Sequence, residues 1–493
     1  MRNDKFTELL RLENDFKNDS FFFQNIDFWP WIRIVIGYNE SLRISPIDKQ
    51  GIDRFSEQYT FKQKLGLAWY YFKKYRSQPK IETDANQDFK KADVLFVSHE
   101  LHCRKVQGSK INVWIHLFEQ QIKQNNNIST EIYKSSKNSA FLQRVKKKHF
   151  KQMSFSFLLS SIGIKQKDPL QNNSIQKLVS ALNHSSFGVT FSSGELRERM
   201  LMLAMMIEEF TIFFRKNKPK VIFLYAYYMD EFLALCHAAR ELGIVVVEIQ
   251  HGLIKPKHFA YTDWIKRADE KKYFLPTYCL THDNETANCI NRSWLNGIKA
   301  YFVGNSNIAL ELLEKSIPER IKLFKDEDVN KTHVLVTTSN NHFISAEFIR
   351  VINNANENIV WHFKLHLRYT TLEMYLKYKE MFSNVNVRVY FENTYSVYDF
   401  FSLCSIHVTE ESYVAIEAEA FGLTNIILGG IGADVFTDQI SKNNFYSCLN
   451  AEEFITVLNK MILQKKHQIQ DSMVHDFEKN TKYFLNEILK IQK

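Results

Sequence analysis

Apolar and polar positions fall into two repeating patterns along most of this chain. "VIFLY" (221–225) and "IVVVEI" (244–249) are short, unbroken apolar runs bounded by polar residues, the form of strands buried on both faces of a parallel sheet. Between them, "EFLALCHAARELG" spaces its apolar residues three and four apart and stops at Gly243, which predicts a helix ended by a glycine. Strand, helix and strand together predict a βαβ unit. A further buried strand, "ADVLFV", begins at Ala92, and residues 195–216 read as a long helix whose methionines belong to a core, separated from the next strand by Pro219.

A second series starts after the charged stretch "FKDEDVNK" (324–331): "HVLVTTS" strand, "SAEFIRVINNA" helix, "IVWHFKL" and "VRVYFE" strands, "VYDFFSLC" helix, "IHVTE" strand, "SYVAIEAEAFG" helix, "NIILGG" strand. Two such series predict an α/β protein with two Rossmann-like domains, each built on a parallel sheet, at residues 91–325 and 326–493. The final helix, about 464–493, is expected to cross back to the first domain. The first 90 residues lack this alternation and read as a mainly helical extension. Within it, "FKQKLGLAWYYFKKYRSQPK" (61–80) sets Leu65, Trp69 and Phe72 near one helical face among Lys62, Lys64, Lys73, Lys74 and Arg76. Such a helix suits a lipid interface; a surface helix packing its aromatics on the next domain is the alternative. The basic "RVKKKHFKQ" (144–152) reads as a solvated face.

Composition agrees with this picture. A chain of 493 residues exceeds the size at which one core stops growing, so two domains are expected. The 45% hydrophobic and 24% charged fractions are those of an ordinary globular protein and exclude a fibrous or largely disordered one. Six cysteines lie scattered, with neither a C-x-x-C pair nor zinc-like spacing, and read as reduced core residues of a cytoplasmic protein. "MRNDKFTELLRLENDF" is charged where a secretory signal needs an apolar stretch, and no window reaches a membrane span. The net charge of +9 raises a nucleic-acid reading, but the lysines look dispersed. Attraction to an anionic membrane face or to phosphorylated substrates accounts for it equally, and no nucleic-acid partner is expected.

In open α/β sheets, ligands bind outside the carboxyl ends of the strands. That rule selects Ser98, His99 and His102; Asp230 and Glu231; Gln250, His251 and Gly252; Thr338 and Ser339; Lys364, His366 and Arg368; and Ser412. His251 is the general-base candidate, because imidazole titrates near neutral pH; Gly252 beside it would allow close backbone approach, and Lys257 and His258 follow. Asp230 is the competing base. Ser412 would cap the helix containing Glu417, whose free N–H groups attract phosphate. If their strand continues, Lys364, His366 and Arg368 share one face, a cationic comb suited to a diphosphate. Glu410 and Glu411 stand against this unless they point away or meet cations. The chain contains no G-x-x-x-x-G-K-[ST], H-E-x-x-H or G-x-S-x-G, and "GGIGAD" at Gly429 lacks the third glycine of a dinucleotide fingerprint. Asp326-Glu327-Asp328 has the form of a metal-binding D-x-D but reads as a solvated linker, so no obligatory metal is expected.

The segment from Ser412 through Glu417 and Ala418 to Gly422, followed by "NIILGG", resembles the S-x4-E-A-x3-G region in the carboxyl-terminal domain of GT-B glycosyltransferases and the related nucleotide-sugar 2-epimerases. "QHG" at Gln250–Gly252 resembles the histidine-glycine corner of bacterial capsule and O-antigen transferases and the similar corner of CDP-glycerol glycerophosphotransferases. "KLHLR" is similar to the K-x-H-P-R of those enzymes, with Leu367 in place of proline. The resemblance implies a GT-B-like fold of two facing Rossmann-like domains. It implies a glycosyltransferase taking a nucleotide sugar to a bacterial polysaccharide or lipid-linked glycan acceptor, at the inner face of the cytoplasmic membrane. His251 would be catalytic; Ser339, Lys364, His366, Arg368, Ser412 and Glu417 would bind donor; His99, Gln250, Gly252 and His258 would line the acceptor side. No cofactor is expected beyond the donor itself. A nucleotide-sugar epimerase or hydrolase of the same fold is the alternative within the class, and a non-enzymatic basic binding protein the alternative outside it.

Overall fold

The computed structural model describes residues 2–23, 26–37, 59–78, 91–99, 102–106, 109–124, 128–135, 140–162, 173–185, 187, 193–254, 257–265, 272–292, 298–314, 328, 330–338, 344–365, 371–390, 395–442, 445–463 and 472–490. The chain forms two compact units, residues 1–306 with 477–493, and residues 307–476. The sequence pattern places this boundary later, at 325/326. The helix Ser306–Glu314 starts at the division, and its Ile308 and Leu312 pack on Ala420 of the second unit.

The first unit holds a parallel six-stranded sheet: β1 (Val94–His99), β2 (Thr130–Ser135), β3 (Val221–Leu224), β4 (Val245–Ile249), β5 (Tyr278–Thr281) and β6 (Lys299–Phe302), in the order β6-β5-β4-β3-β1-β2. The runs at 94–97, 221–224 and 245–249 form strands because both faces are covered; Val94, Phe96, Val221, Phe223, Val246 and Val247 are fully buried. β2 was hidden in a polar stretch, "TEIYKS", where only Tyr133 and Ser135 are buried, as befits an edge strand. The long helix Ser193–Asn217 covers one face with Met200, Met202, Met205 and Met206, so the methionines are core.

The first 37 residues do not stand apart from this unit. Helices Arg2–Asp15 and Trp29–Gly37 contribute Leu9, Leu12, Trp29, Trp31, Ile34 and Val35 to the same core as the sheet. Helix Phe61–Ser77, opened by a Thr60–Gln63 capping box, packs on helix Ala140–Ser161 through Ala68, Tyr71, Met153 and Phe157. The Ser472–Lys490 helix begins in the second unit and completes the first: Phe477 packs on Phe118, and Phe484 on Tyr278 and Tyr301.

The second unit repeats the plan with β7 (Thr332–Thr337), β8 (Ile359–Lys364), β9 (Val387–Tyr390), β10 (Ile406–Thr409), β11 (Thr424–Leu428) and β12 (Phe445–Cys448), all parallel, in the order β9-β8-β7-β10-β11-β12. Its sheet is covered by separate apolar clusters, one around Val334, Trp361 and Phe363 and one around Leu335, Phe400 and Phe401. The α/β class, with two parallel sheets in tandem and a helical N-terminal region, is what the periodicity predicted. All six cysteines are free thiols, four of them buried. Among the described residues no helix is long and apolar enough to cross a membrane.

Candidate functional site

At the carboxyl edge of the first sheet, β1, β3 and β4 end side by side in an aromatic and imidazole cluster. Tyr225, the residue after β3, accepts hydrogen bonds on its Oη from the backbone N–H of His99 at 2.7 Å and from Asn112 Nδ2 at 3.1 Å, tying the ends of β1 and β3 together. Burial pushes its phenol up to about 12, so it stays neutral. His102 packs edge-on against Tyr225, ring centroids 5.0 Å apart, and accepts from Trp114 Nε1 at 3.3 Å. His251 sits among them, its ring 6.1 Å from Tyr225 and 6.5 Å from His102. Its Nε2 lies 3.1 Å from Tyr228 Oη. His258 continues the cluster, 6.3 Å from Tyr228 and 4.7 Å from Tyr261.

The corner that carries His251 is held from behind by a histidine that periodicity did not single out. Gln250, 1% exposed, donates from Nε2 to the Gly252 carbonyl and accepts on Oε1 from the His282 backbone N–H, both at 2.8 Å. His282 Nε2 meets the Gln250 carbonyl at 2.7 Å; a carbonyl only accepts, so Nε2 carries the proton. The ring stacks on Trp114, and burial lowers its pKa to about 3. Gln250 thus fixes the turn instead of facing the acceptor side. At Gly252 an added Cβ would meet nothing within 4 Å, so no protein group packs against this glycine.

Asp230, the competing base candidate, is engaged inside the fold. It begins the helix Asp230–Glu241 and is buried, accepting from Trp31 Nε1 at 2.8 Å and facing Arg199 Nη2 at 3.8 Å. Burial raises its pKa against the pull of Arg199. The adjacent Glu231 accepts from Tyr133 and Ser135. Both carboxylates anchor the loop carrying Tyr228.

The N-terminal helix Trp29–Gly37 supplies the other anchor. Arg33, fully buried, donates to the carbonyls of Phe259, Thr262 and Asp263 at 3.1, 2.7 and 3.4 Å and pairs with buried Glu13 at 2.9 Å. Its guanidinium lies 4.3 Å from the centre of the Trp264 ring. Gly37 lets Phe259 pack where a Cβ would stand 2.4 Å from its ring. One short helix therefore ties down both loops that flank His251: Trp31 holds the loop after β3, and Arg33 the loop after β4. Beneath them, Glu248 of β4 is fully buried and hydrogen-bonded to Tyr261 and the Tyr227 N–H. Burial raises its carboxyl to about 8.

In the second unit the strand register sets Thr337, Lys364 and Thr409 abreast at the carboxyl edge. Lys364 is buried, which lowers its pKa, while nearby Asp399 pulls it up. Thr409 Oγ1 donates to the Thr337 carbonyl at 2.9 Å and accepts from the Ser412 N–H at 3.3 Å. The Ser412 hydroxyl accepts from the Val414 N–H at 3.3 Å; helix Val414–Ala420 itself starts one residue later than the sequence suggested, with Tyr413 at the cap. Glu417 is buried: its Oε1 accepts from Tyr398, whose hydroxyl accepts from Asn307, both at 2.7 Å. Ser339, His366 and Arg368 lie outside the described residues, as do Asp326 and Glu327; β8 ends at Lys364. Asp328, read as part of a solvated linker, is buried. Burial would raise its pKa, but ion pairs with Arg388 and with Lys331, the latter at 3.1 Å, bring it below the usual range. "GGIGAD" is structural: a Cβ on Gly432 would stand 2.0 Å from the Glu410 carbonyl oxygen.

No protein-family model matches the chain, and no curated protein matches it. Among solved structures, the chain is similar to a UDP-GlcNAc 2-epimerase from Neisseria meningitidis bound to UDP-GlcNAc, at 13% identity and a TM-score of 0.49 over 80% of this chain and 99% of that one. A UDP-GlcNAc 2-epimerase from Methanocaldococcus jannaschii also gives 13% identity, with a TM-score of 0.48 over 80% and 99%. An α,α-trehalose 6-phosphate synthase from Burkholderia multivorans gives 11% and 0.39 over 62% and 77%.

Proposed function

We propose that this protein is a GT-B nucleotide-sugar enzyme, and within that class a metal-independent glycosyltransferase. It moves a sugar to a bacterial surface polysaccharide, capsule or O-antigen, or to its lipid-linked precursor. The observation that carries the reading is His251 at the carboxyl edge of β4, its Nε2 3.1 Å from Tyr228 Oη, on a turn that Gln250 and His282 hold in place. An imidazole so placed can take the proton of an acceptor hydroxyl as that oxygen attacks the anomeric carbon. The bond from that carbon to the phosphate oxygen breaks, and the nucleotide leaves. Asp230, committed to Trp31 and Arg199, leaves this role to His251; His99 and His258 line the acceptor side.

The second unit takes the donor in this reading. Lys364 and Ser412, with Ser339, His366 and Arg368, meet the phosphates, and Glu417 meets the ribose. A thermal-shift screen with UDP, GDP, CMP, CDP and dTDP should find one that stabilises the protein, since a ligand that binds only the folded state stabilises by mass action. Nucleotide release from the matching sugar should require an acceptor. His251→Ala should keep the stabilisation and lose the transfer. Consumption of the donor without acceptor would assign an epimerase or hydrolase instead. Absence of both binding and release would refute the nucleotide-sugar reading.

A further inference from the structure

Helices Phe61–Ser77 and Ala140–Ser161 pack side by side and antiparallel: Tyr75 meets Lys147, Ala68 meets Ser154, and Tyr59 meets Phe157. Each keeps a large apolar stripe off that contact. On the first, Phe61, Leu65, Trp69 and Phe72 are 61%, 43%, 57% and 36% exposed; on the second, Phe155 and Leu158 are 59% and 44% exposed, followed by Ile162 just past its end at 61%. The aromatics that the alternative reading packs on a neighbouring domain are thus in solvent, while Ala68 and Tyr71 make the packing contact. At 3.6 residues per turn, each stripe lies roughly a quarter turn from the contact line, in the same rotational sense. Antiparallel packing then brings both stripes to one side of the pair.

The charge is concentrated in the same two helices. The first carries Lys62, Lys64, Lys73, Lys74 and Arg76, the second Arg144, Lys146, Lys147, Lys148 and Lys151, and neither contains an aspartate or glutamate. The whole chain has 64 Lys and Arg against 55 Asp and Glu; without these ten the balance is 54 to 55. The surplus that looked dispersed along the chain belongs to this pair. Lys148 is engaged by Glu208 and Glu209. Lys73 and Arg76 lie over the rings of Trp69 and Phe72, on the border of the apolar stripe.

We propose that this helix pair docks the protein on an anionic lipid surface, with the two stripes in the headgroup and acyl boundary and the lysines against the headgroups. The combination of an aromatic-aliphatic face with a predominantly cationic border matches such an interface. The inference does not depend on the activity proposed above.

The test is co-sedimentation of the full chain with phosphatidylcholine vesicles, with and without phosphatidylglycerol. Binding is expected only to the anionic vesicles, and it should weaken as salt rises. Trp69→Ala with Phe72→Ala should weaken it by about tenfold or more, and Phe155→Ala with Leu158→Ala should do so as well. Leu463→Ala, at a still more exposed apolar position in the second unit, should leave it unchanged. All these positions are solvent-facing, and circular dichroism confirms that each variant is folded. Failure of the folded wild type to bind anionic vesicles would overturn the proposal. So would binding indifferent to both double variants, or concentration-dependent self-association, lost in the same variants, that gives the face to a second copy.

Discussion

The hydroxyl of Tyr228 and Nε2 of His251, 3.1 Å apart, set which nitrogen of that imidazole is basic. If the phenol donates, Nε2 is the acceptor and Nδ1 carries the proton; if the acceptor substrate displaces the phenol, Nε2 is free to take its proton. Tyr228→Phe should therefore lower turnover by roughly tenfold to a hundredfold and displace the acid limb of the pH–rate profile, while nucleotide-induced stabilisation stays the same. Neither Tyr228 nor His282 stood out from pattern alone, since one is an aromatic in "YAYYM" and the other follows an ordinary strand. Glu248 gives a second test. Its folded pKa of about 8 lies above the unfolded value, so the stability of its protonated form is present at low pH and lost as pH rises toward 8. Glu248→Gln keeps the neutral shape without that loss. Urea midpoints should show the variant gaining on wild type more at pH 8 than at pH 5.

Among elements, the Trp29–Gly37 helix links the N-terminus to the site. Glu13 and Arg33 are both fully buried; burial raises the carboxyl and lowers the guanidinium, each partly offset by the partner. Removing one partner leaves the other charge without compensation, so Arg33→Met should cost about 3–5 kcal/mol. Glu13→Leu with Arg33→Met should cost less than the single change, because no buried charge remains. Chemical denaturation of the three variants measures the coupling. The pattern gives only a mainly helical N-terminal region, and the helix's link to the loop at 259–263 joins residues more than two hundred positions apart, which local pattern cannot reveal.

At the scale of the whole molecule, the two units should respond differently to acid. In the second, burial keeps His333 and His362 neutral, and the Asp328 carbonyl, which only accepts, then orders the row: His333 Nε2 donates to it, His362 Nε2 to His333 Nδ1, and Tyr390 to His362 Nδ1, each at 3.0 Å. Burial lowers His362 to about 3 and His407 to about 4, and lowers His333 as well. The first unit has His282, at about 3. A histidine depressed in the folded state costs nothing above its unfolded pKa, and stability falls as pH drops from about 6.5 toward the folded value, by on the order of 2 kcal/mol per fully buried ring at pH 5. The second unit should therefore unfold at higher pH than the first, seen as tryptophan fluorescence of Trp361 changing before that of Trp31 in single-tryptophan variants. The sequence by itself determined the two parallel sheets and most of the residues at their carboxyl edges, because strand burial and helical periodicity are written locally in apolar runs. Only the tertiary structure decided which groups the polar residues meet. Gln250, Asp230 and Asp328 found partners inside the fold, and His251 was set beside Tyr228, because hydrogen bonding and burial depend on groups that folding brings from distant parts of the chain.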